Sequence, residues 1–255
     1  MQLTSYSDVN NVLEIITTRL KATLGDTLVG LYLEGSLVIG DFEPSISDID
    51  LVAALASDID DQEFAALQAM HETLVAEHPA WYDRIEVCYI SVAALASIKS
   101  RTSMIVNISP GEPIHRTEAR REWLMNWYLT REKSVTLYGP SPTTIIEPIS
   151  KAEFVQSVRD HAQGWASWVK DMRNPYAQSY AILTMCRALY AYTNGEQVSK
   201  QAAALWAQQQ LPEWSDVIQQ ALVWRKGGKD LGADDAAHPR TVQFVKHVRG
   251  LILGS

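Results

Sequence analysis

Apolar and polar positions divide this chain into two parts with different periods. Val9, Leu13, Ile16 and Leu20 recur at three- and four-residue steps, which predicts a first helix from Ser7 or Asp8 to about Leu24. Gly25-Asp26 ends it. Leu28 to Leu33 then reads as a strand, Ser36 to Gly40 as a short helix, and Ile46 to Leu55 as a second strand. Phe64, Leu67, Met70, Leu74 and Val75 form one stripe of a helix over Asp60 to Glu77, with Asp61 as its expected cap and surface positions for His71 and His78. Asp83 to Ser91 is a third strand, with a short helix expected within Ser91 to Ile98 and an apolar strand-like piece from Met104 to Ile108. Glu118 to Arg131 reads as a helix carrying Trp123, Trp127 and Tyr128, and Ser134 to Tyr138 as a last strand. After the proline-rich stretch Gly139 to Pro148 the strand period disappears. Five helices are expected there: Lys151 to Asp171, Pro175 to Thr193, Ser199 to Gln210, Pro212 to Arg225 and Pro239 to Leu253.

This alternation predicts an α/β (α+β) N-terminal domain over 1–149, with a mixed sheet flanked by helices. An all-α helical bundle follows over 150–255. The 255 residues suffice for two such domains. A net charge of −8 argues against a nucleic-acid partner, because neutralising phosphates needs clustered Lys and Arg. No apolar run approaches the ~20 residues that span a bilayer, so no membrane partner is expected. The two cysteines, Cys88 and Cys186, lack metal-ligand spacing and read as buried free thiols, which fits a reducing cytoplasm.

The chemistry concentrates between Leu31 and Ala54, LYLEGSLVIGDFEPSISDIDLVAA. Asp48 and Asp50 are two apart, so in a strand they share one face while Ile49 and Leu51 take the other. Two like charges side by side are tolerable when a divalent cation lies between them. Gly35-Ser36 brings bare backbone and a hydroxyl nearby, as a phosphate requires. The plainer alternative is an edge strand with two surface aspartates. Glu86, in the middle of the third strand, is costly to bury alone and either belongs to this site, faces solvent, or pairs with Arg84 or Arg101.

Gly35-Ser36, eleven residues and Asp48-x-Asp50 resemble the signature of the DNA polymerase β-like nucleotidyltransferase superfamily. The helical half narrows the likeness. Leu183 to Tyr190, Thr193-Asn194-Gly195, Val198-Ser199-Lys200 and Ala203 to Trp206 resemble the C-terminal domain of bacterial aminoglycoside adenylyltransferases of the streptomycin/spectinomycin type. The resemblance implies transfer of AMP from ATP to a hydroxyl of a small acceptor. It implies Asp48, Asp50 and Glu86 as the Mg2+-binding and catalytic carboxylates, with Glu86 taking the hydroxyl proton. It implies nucleotide binding by Gly35, Ser36, Ser47, Arg187, Lys200 and Trp224. Arg187 has an alternative reading as a salt bridge to Glu196 or Asp160. Aminoglycosides are polycations held by carboxylates, yet Ala177 and Gln178 stand where the family carries an acid. Glu43, Glu112, Asp160 and Asp171 are the acids that could replace it. The expectation is therefore an ATP- and Mg2+-dependent, monomeric cytoplasmic enzyme with a cationic small-molecule acceptor. The alternative is a nucleotide-binding regulatory module, or a protein-modifying nucleotidyltransferase.

Overall fold

The computed structural model describes residues 3–227 and 234–254. It divides into two compact units, one of Met1–Arg121 with Asn126–Pro148, the other of Glu122–Met125 with Ile149–Ser255.

The first unit is built on a six-stranded sheet. Helix α1 (Ser7–Leu24) leads into β1 (Leu28–Glu34), then α2 (Ser36–Ile39), β2 (Ile49–Leu55), α3 (Asp61–Glu77), β3 (Ile85–Ser91) and α4 (Val92–Leu95). Strands β4 (Ser103–Ser109) and β5 (Glu112–Ala119) form a hairpin, followed by α5 (Leu124–Lys133) and β6 (Val135–Tyr138). The order across the sheet is β5-β4-β3-β2-β1-β6. Only β2 and β3 run parallel, because α3 supplies the crossover that a parallel pair needs; the other pairs are antiparallel.

Alternation along the strands sorts the two faces. Leu31, Leu33, Ile49, Leu51, Ile85 and Val87 pack against Val12, Leu13 and Ile16 of α1 and Leu67 and Leu74 of α3. Burying each such side chain contributes on the order of 1.5–3 kcal/mol, and this layer fixes the strand register. The opposite face takes the residues between them, Glu34, Asp50 and Glu86 among them. Cys88 is buried on that face as a free thiol, and Cys186 is buried in the second unit.

Several expectations shift for local reasons. Asp60, not Asp61, caps α3: it accepts the Glu63 N–H while the Glu63 carboxylate takes the Asp60 N–H. His71 is buried rather than on the surface, 2.6 Å from the Tyr89 hydroxyl. Burial lowers its pKa to about 4, so it is neutral. Residues 118–119 belong to strand β5, not to a helix, and α5 begins only at Leu124. Strand β5 is a largely exposed, polar edge without apolar alternation, so its period was invisible.

The second unit is helical: α6 (Lys151–Ala162), α7 (Trp165–Trp168), α8 (Pro175–Asn194), α9 (Lys200–Gln210), α10 (Ser215–Gly227) and α11 (His238–Leu253). The expected single helix over Lys151 to Asp171 is broken after Ala162. The indole of Trp168 lies over Gly164, where an added Cβ would sit 2.4 Å from it. Ser150 with Glu153 caps α6, Ser199 caps α9, and Gly195 closes α8 in the left-handed conformation.

Candidate active site

Two strands and one loop position three carboxylates. Asp50 pairs with Glu86 across the parallel β2–β3 ladder, so their side chains leave the sheet together. Asp48 precedes β2, at the end of a loop that is tied down. The Ser47 hydroxyl accepts the Glu43 N–H at 2.9 Å, and the Ser47 N–H donates to the Glu43 carbonyl at 2.8 Å. The Arg84 guanidinium donates to the Pro44 carbonyl at 2.7 Å and from Nε to the Ser47 carbonyl at 3.0 Å. These bonds start β2 at Ile49 rather than Ile46. One oxygen each of Asp48, Asp50 and Glu86 comes within 4.8 Å of the others. All three side chains are half-buried.

Three hard oxygen donors at this spacing suit Mg2+ or another hard divalent cation. Burial lowers the Arg84 pKa, while the charge of neighbouring Asp48 opposes that change. Arg84 thus both braces the loop and faces the cluster from one side.

The Gly-Ser turn closes against the same carboxylates. Gly35 has φ 68° and ψ −148°, a conformation almost reserved for glycine. An added Cβ would lie 1.8 Å from Asp50 Oδ2. The Gly35 carbonyl accepts the N–H groups of Val38 and Ile39, which turns α2 away from the strand. Ser36 Oγ is buried and has no hydrogen-bond partner among the described residues, so this hydroxyl is available to a ligand oxygen. Ser47 is different, because its hydroxyl already serves the loop.

Sequence reasoning missed a fourth acid. Glu34 ends β1 directly opposite Asp50, so Glu34, Asp50 and Glu86 form one rung across three strands. The Thr130 hydroxyl of α5 donates to Glu34 Oε2 at 2.7 Å. Burial raises the Glu34 pKa to about 7, and the Thr130 bond pulls in the other direction. The available signal was an acid closing an otherwise apolar strand just before Gly35.

Arg187, Lys200 and Trp224 all lie in the second unit. Arg187, on α8, is half-buried, and its charge reinforces the burial that lowers the His161 pKa to about 4. Lys200, at the start of α9, stands 5.0 Å over the Tyr180 ring. Tyr180, Trp165, Trp168 and His161 make one aromatic group, with ring centroids 5.4–6.0 Å apart. Arg187 and Lys200 therefore border the same group. Trp224 is half-buried on α10.

Comparison with known proteins agrees with both halves. Residues 144–250 match the family described as aminoglycoside adenylyltransferase, C-terminal domain. The chain is 25% identical over 270 residues to an aminoglycoside (3'') (9) adenylyltransferase of Shigella flexneri, covering 96% of this chain and 95% of that one. It is 25% identical over 272 residues to the Klebsiella pneumoniae enzyme of the same name, covering 94% and 96%. The fold is similar to spectinomycin adenyltransferase from Enterococcus faecialis, solved with ATP and spectinomycin. That match has a TM-score of 0.76 at 14% identity and covers 96% of this chain and 99% of that one. The chain is thus similar along both units to enzymes named aminoglycoside adenylyltransferases, and its helical unit carries the match to that family's C-terminal domain.

Proposed function

We propose that this protein transfers AMP from ATP, with Mg2+, to a hydroxyl of a small cationic acceptor of the aminoglycoside or spectinomycin type. The observation that carries the proposal is the Asp48–Asp50–Glu86 cluster set against Gly35. The names of the full-length relatives and the ATP and spectinomycin of the structural neighbour support it.

In this reading Asp48, Asp50 and Glu86 hold the cation, which supplies charge neutralisation at the phosphate oxygens. Gly35 lets the polyphosphate approach the backbone, and the Ser36 hydroxyl donates to it. Ser47 contributes by fixing the loop that presents Asp48. Glu86, at the β3 side of the rung, accepts the proton of the acceptor hydroxyl as that oxygen attacks the α-phosphorus. The bond to pyrophosphate breaks as the new P–O bond forms. Arg187 and Lys200 are assigned to the polyphosphate and offset the charge of the leaving pyrophosphate. Trp224 is assigned to the nucleotide.

The test is pyrophosphate release with ATP, Mg2+ and spectinomycin, streptomycin and related aminoglycosides. Release is expected with at least one acceptor. Glu86→Gln should lower it by ~100-fold or more while ATP binding stays within about twofold. Silence of the wild-type protein with every acceptor would overturn the acceptor class. Undiminished release in Glu86→Gln would remove Glu86 as the base.

A further inference from the structure

Glu34 is an expensive residue where it stands. Two positions earlier on the same face of β1, Tyr32 is fully buried, and the strand is otherwise apolar. Opposed residues of an antiparallel pair have Cβ atoms about 4.5–5.5 Å apart, and like charges there destabilise the sheet. Yet Glu34 opposes Asp50, which itself neighbours Glu86. Nor is Glu34 a loose surface acid. Thr130 orients one of its oxygens, and its backbone runs directly into Gly35, against which the Asp50 carboxylate rests.

We propose that Glu34 is a positioning residue for the divalent cation, a fourth carboxylate that strengthens cation binding through Asp50 without being a ligand. It lies outside the group of three whose oxygens converge. Its charge acts from behind Asp50, at a distance where one further negative charge still matters in a half-buried site. The Thr130 bond keeps that charge at the rung. This inference rests on the cation reading of Asp48, Asp50 and Glu86.

The test titrates the full-length protein at pH 8, above the titration of Glu34, with Mn2+ alone, counting free Mn2+ by electron paramagnetic resonance, and in parallel records the Mg2+ dependence of the thermal midpoint. Glu34→Gln keeps the shape and an acceptor for Thr130 while removing the charge. It should weaken Mn2+ binding five- to twentyfold and raise the Mg2+ concentration needed for half the thermal shift by a similar factor. Thr130→Val, which keeps the charge but frees it, should give a smaller loss, about two- to fivefold. Asp50→Asn should abolish the site. A Glu34→Gln dissociation constant within twofold of wild type, with Asp50→Asn still abolishing binding, would overturn the role of Glu34 alone. Absence of a Mn2+ site in the wild-type protein would overturn the cation reading, and this inference with it.

Discussion

Asp50 and Gly35 are in mutual contact to a degree that no side chain at position 35 allows: an added Cβ would fall 1.8 Å from Asp50 Oδ2. The conflict would be with a site carboxylate, not with a movable surface group. The backbone of Gly35 is also in a region that costs other residues on the order of 1–3 kcal/mol. Gly35→Ala is therefore expected to displace Asp50 and to lower pyrophosphate release ~100-fold or more, at a stability cost of about 1–3 kcal/mol. Activity and thermal midpoint, measured together, check this. Full activity in a stable Gly35→Ala protein would show that Asp50 need not sit where it does.

Arg84 offers a second handle on the cluster. Its guanidinium holds the Pro44 and Ser47 carbonyls and stacks 4.9 Å from the Trp81 ring. Hydrogen bonds from charged donors are worth about 1.5–3 kcal/mol each. Arg84→Leu should release the loop before Asp48 and raise the KM for Mg-ATP about tenfold, with a smaller change in the KM for the acceptor. Steady-state kinetics with each substrate varied in turn check the asymmetry.

Two histidines, His71 fully and His161 partly buried, set the acid limb of stability. His71 and His161 are lowered from 6.5 to about 4 in the folded chain, both chiefly by burial. Between those values the unfolded chain binds protons that the folded chain does not. Stability therefore falls as pH drops below 6.5 and levels off below about 4, by up to about 3 kcal/mol for each group. His71→Gln, which retains a partner for Tyr89, should flatten this limb. Urea midpoints between pH 4 and pH 8 check it.

Glu34 sets a limb of opposite sign. Its carboxyl titrates at about 7 in the fold against 4.5 ordinarily, so the neutral form is favoured on folding. That contribution is fully present below about pH 4.5 and is lost as pH rises through about 7. Without divalent cation, Glu34→Gln should be more stable than wild type at pH 8, by up to about 3 kcal/mol, and nearly equal to it at pH 4. Addition of Mg2+ should narrow the difference at pH 8.

Much of this site was legible before the fold. Gly35-Ser36, Asp48-x-Asp50 and Glu86 are local patterns whose chemistry follows from residue type and a two-residue period. What escaped was set by pairing across the sheet. Glu34 gained significance only when β1 was registered against β2, and a single sequence carries no record of that register. Arg84 read as a surface partner for an acid, because backbone carbonyls as acceptors leave no trace in composition. His71 joins Leu67, Met70 and Leu74 on the buried face of its helix, where Phe64 and Val75 are only half-buried, and its partner Tyr89 comes from another element. Strand β5 was missed because an exposed polar edge has no buried face to impose a period.

The rung of Glu34, Asp50 and Glu86 also bears on how the chain tolerates change in length. A strand's side chains alternate between faces, so losing or gaining one residue within Ile49–Leu55 would turn Asp50 toward the layer of α1 and α3 and bring an apolar neighbour into its place. Point substitutions at the surrounding apolar positions only adjust packing. A library of single-residue deletions across β2 should retain far less function than a library of conservative replacements of equal size, and compensating length changes would have to arise in two strands at once.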